Sequence, residues 1–303
     1  MSRSKPLAYQ SSKAVLEYLS FGKRKCFYAM CPAIRKMEEM LPYHLEVVNL
    51  FSMWQNNIIM DIDSFGFSFW EYEGNKMRMV NLATKTGVDR LTSLGPEQAA
   101  EKFLLYHLSR EGTRIKHVKL TTAPEFISKC IPIAIKSLSV FKNMTMLKTD
   151  AWFPTNFPIE NVEIDTTVRE DTLKMAKHVT VRIPGHVAER ANPEILSEWN
   201  CKSIQIESWM KSEEVADYCN KVSKRTDRPI GSTLMAKHCS PVEFLFNILH
   251  SKMNAKKTVF NDKICATIYI DESTELNVYD CSVDRCFVVV EVCARGTALD
   301  QVV

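Results

Sequence analysis

Nine glycines in 303 residues are few for a chain that would handle phosphates. Loops that cradle phosphate oxygens need glycine for close backbone approach, and neither GxxxxGK(S/T) nor GxGxxG is present. GxSxG, HExxH and CxxC are also absent, which removes the commonest nucleophile-elbow, zinc-protease and thiol-redox readings. Nowhere do eighteen apolar residues run together, and the N-terminus MSRSKPLAYQSSK carries no apolar core of signal-peptide length. A soluble intracellular protein, cytoplasmic or nuclear and without a membrane partner, is expected. An excess of one charge is missing too: 39 Lys and Arg against 36 Asp and Glu leave +3. The densest basic run, GKRK at 22 to 25, falls in a helical stretch and reads as a solvated face, so no nucleic-acid partner is expected.

Ten cysteines are scattered along the chain rather than framing a small scaffold. Without a secretory signal they read as reduced, mostly buried thiols, and the NMT sequon at Asn143 reads as a chance match. CFYAMC at 26 to 31 and CSVDRC at 281 to 286 each place two cysteines five apart, a spacing that no common zinc motif uses. No metal and no cofactor is expected. His238 and Cys239 adjoin, but a cysteine nucleophile needs a base brought close in space, and the pair reads as a loop before a helix capped by Ser240. The DID at 61 to 63 alternates with Met60 and Ile62, which makes it the solvent face of a strand before it is a cation site.

What the chain has in quantity is one short strand. IKHVKLTTA from Ile115, IKSLSVFKN from Ile135, IENVEIDTT from Ile159, AKHVTVRIP from Ala176 and CKSIQIESW from Cys201 share the apolar pattern h-x-x-h-x-h. With 46% apolar residues, three such positions agree by chance roughly one time in ten, so the spacers carry the argument. TVREDTLKMA opens with Thr167 and Glu170 in capping-box spacing, NPEILSEWN has Asn192 as cap and Pro193 in the first turn, and KSEEVADYCNKVSKR has Ser212 before two acids. Strand then helix, repeated, predicts stacked βα units. The intervals between second apolar positions are 20, 24, 17 and 25 residues, close to the leucine-rich-repeat period. Asn143 supplies the asparagine that closes that consensus, while the other four units have Ala123, Thr167, Pro184 and Trp209 there, which predicts an irregular solenoid rather than a regular horseshoe. His117 and His178 hold matching places in the repeat and read as structural.

The flanks differ from the repeat. Residues 8 to 40 read as helix, with Val15, Leu16 and Leu19 on one face and a break or new start at Pro32. Phe67 and Phe69, a turn at Gly74-Asn75, then Met77 and Met79 predict a hairpin, and GPEQAAEKFLLYHLSREG predicts a helix begun by Pro96 and ended before Gly112. After SPVEFLFNILHSK, the run DKICATIYIDESTELNVYDCSVDRCFVVVEVC predicts two or three strands forming an antiparallel cap. Large aromatics in loops, Trp152, Phe153 and Phe157, together with Trp209 after the fifth strand, are candidate partner-binding anchors, with packing over the core as the alternative for them.

Two stretches carry a resemblance. KPLAYQSSKAVLEYLSFGKRKCFYAMCPAIRKMEEMLPYHLEVVNL, from Lys5 to Leu50, resembles the opening of a nematode-expanded domain of unknown function: a proline-leucine start, Lys13-Ala14-Val15-Leu16, Arg24, Cys31-Pro32 and a charged helix ending at Pro42. It is also loosely similar to an F-box. ILSEWNCKSIQIESWMKSEEVADYCNKVSKRTDRPI resembles the nematode F-box-associated domain in Leu196, Asn200-Cys201 and a strand followed by a helix, and the likeness covers about a third of the chain. That family implies the substrate-recognition subunit of an SCF-type ubiquitin ligase, with no catalytic residues. Pro6, Leu7, Val15, Leu16 and Leu19 would then face the SCF adaptor subunit, although helical core packing explains the last three equally well.

The expected fold is α/β: an irregular leucine-rich-repeat-like βα solenoid with a helical F-box-like segment at 1–42, a strand-helix domain at 43–303 and an antiparallel C-terminal cap. The expected function is a non-enzymatic protein-binding scaffold, a ligase substrate receptor for an unknown protein target. An interaction module with no ligase role is the first alternative, and a cysteine-dependent enzyme the second.

Overall fold

The computed structural model describes residues 9–52, 57–63, 65–72, 76–82, 84–91, 93–121, 134–140, 159–167, 176–183, 190–238, 240–281 and 287–300. The chain is mixed α/β and forms two compact units, one of residues 1–142 and 147–157, the other of residues 143–146 and 158–303.

The first unit begins with α1 (Tyr9–Tyr18) and α2 (Phe21–Met30), then a 3-10 turn at Pro32–Ile34 and the six-residue α3 (Arg35–Met40). Pro32 is at the first position of that turn, so the helical stretch breaks there and restarts. β1 (His44–Ser52), β2 (Asn57–Ile62), β3 (Phe65–Tyr72), β4 (Lys76–Asn81) and β5 (Thr86–Leu91) form an antiparallel meander, which includes the expected β3–β4 hairpin. Its turn residues, Gly74 and Asn75, lie outside the described residues. α4 (Pro96–Leu108) follows, and its apolar side packs on β2 and β3. The chain then returns as β6 (Arg114–Leu120), parallel to β1, and β7 (Ala134–Val140), parallel to β6. Strand order is β7-β6-β1-β2-β3-β4-β5. Gly22 fixes α2 against this sheet, because a Cβ there would be 2.2 Å from the Phe65 ring.

The second unit has the same plan with more strands. β8 (Asn161–Ile164), β9 (His178–Val181), β10 (Ser203–Met210) and β11 (Thr233–His238) are parallel and in chain order. α5 (Pro193–Glu198) joins β9 to β10, and α6 (Ser212–Val222) joins β10 to β11. After α7 (Val242–Met253) come β12 (Lys256–Phe260), β13 (Lys263–Tyr269), β14 (Thr274–Asp280), β15 (Phe287–Ala294) and the short β16 (Leu299–Asp300). β15 pairs antiparallel with β11, and β15-β14-β13-β12-β16 continue outward antiparallel. The antiparallel C-terminal element therefore extends the parallel ladder edge to edge.

The helix starts are partly as expected. Asn192 caps α5, its side chain accepting from the Glu194 amide at 2.9 Å. Ser212 is not a cap: Lys211 holds that position, Glu214 accepts the Lys211 amide at 2.7 Å, and the Ser212 hydroxyl instead bonds His238 Nε2 at 2.9 Å. Ser240 is not the cap of α7 either, since Pro241 occupies the N-cap position. The spacer 168–175 lies outside the described residues.

Burial follows the strand pattern closely. Val118 and Leu120, Leu138 and Val140, Val162 and Ile164, Val179 and Val181, Ile204 and Ile206 are all buried, as are the leading Ile115, Ile159, Ala176 and Cys201; Ile135 is half-buried. The matched histidines bond a serine on the next parallel strand, His117 Nε2 to Ser139 Oγ at 3.0 Å and His178 Nδ1 to Ser203 Oγ at 2.7 Å. Because alternate residues face opposite sides, Ile206→Ala should cost about 2–5 kcal/mol in urea denaturation, whereas Thr180→Ala on the other face should stay within about 0.5 kcal/mol.

Candidate functional site

α3 has six residues, and a helix leaves its last four carbonyls without an internal partner. In the first unit the Glu38 carbonyl, which also accepts from the Leu41 amide, and the Leu41 and Pro42 carbonyls just past the helix are met by arginine side chains. Arg24, on α2, donates from Nη1 to the Pro42 carbonyl at 2.6 Å and from Nη2 to the Glu38 and Leu41 carbonyls, both at 3.1 Å. Arg110, just past α4, donates to the same Glu38 and Leu41 carbonyls. The two guanidiniums lie 4.0 and 4.5 Å from the centre of the Tyr43 ring.

The charge of this cluster is balanced on one carboxylate. Glu38, fully buried, accepts from the Tyr43 hydroxyl, from Lys25 Nζ at 3.1 Å and from Arg110 Nη2 at 3.2 Å, with Arg24 Nε at 3.5 Å. Burial alone would raise its pKa, but the bonds from Tyr43 and Arg110 and the charge of Lys25 hold it below the usual carboxylate range. Lys25 is pulled down to about 8, by burial first, against the attraction of Glu38. His107 packs edge-on against Phe21, Phe103 and Tyr106, its Nδ1 has no hydrogen-bond partner, and burial with the charges of Lys25 and Arg110 takes its pKa down to about 3. The arrangement ties α2 and α3 to the start of β1 and the end of α4; most of its polar atoms are spent on one another and on backbone carbonyls, while Arg24 Nε and His107 Nδ1 make no hydrogen bond.

The surface outside the cluster carries the sequence-predicted positions. Leu16 is buried against Met37 and Leu41, and Leu19 and Ile34 pack partly buried on the same group. Val15, by contrast, is exposed on α1, as is Tyr18 three residues on, and α2 repeats the pattern with Phe27 and Met30. Residues three apart on a helix share a face, so each of these helices turns an apolar pair outward. Pro6 and Leu7 lie outside the described residues, as do Trp152, Phe153 and Phe157. Trp209 is 55% exposed on β10, at the irregularity where the pairing with β11 shifts register. The structure therefore brings Leu16 and Leu19 together in a small core, and leaves Val15 and Trp209 on the surfaces of different units.

Comparison with protein-family models, with curated proteins and with solved structures finds no match to this chain. Among the described residues, Cys26, Cys31, Cys201, Cys219, Cys265, Cys281 and Cys293 form no disulfide, and no group of three or more His, Cys, Asp and Glu is placed to hold a metal ion. No helix among them is long and apolar enough to cross a membrane. Cys239 lies outside the described residues.

The sequence does not pair Arg24 with Glu38, because nothing in the order of residues brings Arg110 to the end of α3. Removing the carboxylate leaves buried cations uncompensated, so Glu38→Ala should lower stability by about 3–5 kcal/mol in urea denaturation, more than Glu38→Gln. The pH profile carries a second expectation. His107 is neutral in the fold but protonates below about 6.5 when unfolded, so the unfolded chain binds more protons and stability falls as pH drops from about 6.5 to about 3. His107→Leu should remove that component, up to about 1.4 kcal/mol per pH unit, in denaturant midpoints taken across the range.

Proposed function

We propose that this chain is a non-enzymatic protein-binding scaffold: an intracellular substrate-recognition subunit of an SCF-type ubiquitin ligase, with α1 and α2 docking the adaptor and the strand-helix units holding a target. The finer architecture we propose for those units is an irregular leucine-rich-repeat-like βα solenoid. The observation that carries the reading is the pair of outward apolar sets, Val15 with Tyr18 and Phe27 with Met30, on helices whose inner faces are already filled. Tyr18 is 92% exposed and Met30 72%, and large apolar groups held out on a rigid support are what a protein partner covers. Val15, Tyr18, Phe27 and Met30 are therefore the adaptor-facing residues of this proposal, with Pro6 and Leu7 preceding them in the chain, while Leu16 and Leu19 support the face from within. Trp209 is the corresponding anchor for a target on the second unit, with Trp152, Phe153 and Phe157 as further candidates.

An interaction module with no ligase role uses the same surfaces and differs only in the partner. A cysteine-dependent enzyme has less support, because burial pushes the Cys201 thiol up to about 12 and Cys293 up to about 11, away from the thiolate that does the chemistry.

Co-precipitation of the full chain with the adaptor subunit separates these readings. The wild-type chain should retain the adaptor, and Val15→Asp with Tyr18→Asp and Met30→Asp should abolish capture while shifting the melting temperature by no more than about 2 °C, as expected of exposed positions. Leu16→Asp should instead unfold the helical segment. Absence of adaptor from the wild-type precipitate would overturn the ligase role and leave the plain interaction module.

A further inference from the structure

Among the described residues, no helix packs over the outer part of the first unit's sheet beyond β3. α4 packs on β2 and β3, and beyond it the sheet continues through β4 to β5, the last strand in the order. One cross-strand row shows what this does. Ile58 on β2 faces Phe69 on β3, Phe69 faces Met79 on β4, and Met79 faces Val88 on β5. Ile58 and Phe69 are buried, Met79 is half-buried and Val88 is 50% exposed. An apolar row that loses its cover step by step and ends on a bare valine has the profile of a sheet missing its next strand.

A cleft of about 320 Å³ occupies this place, lined by Phe69, Met77, Met79, Val88, Phe103 and Tyr106. Lys102 stands on the α4 side of it, exposed, and makes no ion pair among the described residues. Among the described residues β5 pairs with β4 alone, so its outer edge offers unpaired backbone donors and acceptors. The strand pair is basic: residues 76–90 contain Lys76, Arg78, Lys85 and Arg90 against Asp89, four positive charges and one negative, or +3.

We propose that β5 and this cleft bind an extended peptide segment of a partner protein, one that alternates apolar and acidic residues and adds to the sheet as a further strand. Backbone hydrogen bonds to the edge of β5 supply the alignment. The side chains on one face of the added strand continue the row beyond Val88 into the cleft, at the strand spacing of about 4.8 Å; an acidic residue at the end of that face meets Lys102, and the carboxylates that alternate with the row turn to the opposite face, where Arg78 stands beside Asp89. A small apolar acid would fill the cleft and answer Lys102 but leave the open edge unused, and a second copy of this chain would set one basic edge against another. This proposal rests on the scaffold reading and names the class of target it holds.

The test pans a displayed library of random dodecapeptides on the full chain, then titrates the enriched peptide, made synthetically, by fluorescence anisotropy. Enriched sequences should alternate apolar and acidic residues, and the enriched peptide should slow amide exchange along 86–91. Val88→Asp and Lys102→Glu, both at exposed positions, should each weaken it by about tenfold or more with the melting temperature unchanged. No enrichment, enrichment of basic or unpatterned sequences, or equal binding to the variants would overturn the proposal. So would saturation of the cleft by decanoate without any peptide binding, or a concentration-dependent dimer that Val88→Asp dissolves. Adaptor capture is scored separately on Val15, Tyr18 and Met30, so a failure at β5 with capture intact removes this site and leaves the ligase role standing.

Discussion

Carbonyl oxygens at the end of a short helix must find donors when the helix ends inside the protein, and this chain meets that demand twice with arginine. Arg24 and Arg110 close α3 in the first unit. In the second, Arg225 donates to the Ser197 carbonyl and Arg228 to those of Leu196 and Ser197, at the end of the equally short α5. Both helices have six residues, too few to stand on their own hydrogen bonds, so their stability comes from side chains far along the chain. Guanidinium suits the task because it presents several donors in a rigid plane and its charge persists under burial. The first cluster also needs Glu38, since two buried guanidiniums and Lys25 repel one another; the second keeps Arg225 against Asp227 at 2.6 Å near the surface. A comparable economy holds the far end of the second unit, where the buried Glu275 accepts from the amides of Gly296 and Ala298 and from the Thr297 hydroxyl.

That construction shapes what the surface offers. With Leu16, Leu19, Met37 and Leu41 packed inward and Arg24 tied to the end of α3, α1 and α2 have no inward use for Val15, Tyr18, Phe27 or Met30. In the first unit the same sheet that receives the helices runs on past α4, which explains why its outer strand carries an exposed valine beside an apolar cleft. Rigid internal ties and unfilled outer faces are consistent with a protein that acts by holding others.

Legibility from sequence followed the range of each interaction. The strand repeat was readable because period-two alternation is local, and Val162, Val179 and Ile204 are buried as their spacing implies. Parallel pairing of β8, β9 and β10 followed from helix-length spacers, and Asn192 capped α5 as its position before Pro193 suggested. Ser212 and Ser240 misled because a hydroxyl before a helix is only a local hint; Ser212 found a buried histidine from the next strand, and the proline at 241 moved the start of α7. The join of helices to strands in the first unit was invisible, since it depends on Glu38 meeting Arg110, seventy-two residues away in sequence. Leu16 and Val15 looked alike on the 3.6-residue period, and only the packing of α3 over α1 put one inside and the other outside.

The central claim is that the cluster around Glu38 makes the helical segment and the strands of the first unit one cooperative body. Native-state hydrogen exchange reads this directly, through the opening free energies of amides in α2 and α3 against those in β1 and β6. The account predicts a common value in the wild-type chain, and in Arg110→Met a separate, lower value for the helices while β1 and β6 keep more of their protection. Helix amides that exchange far faster than the strands in the wild-type chain, and are unchanged by Arg110→Met, would contradict it.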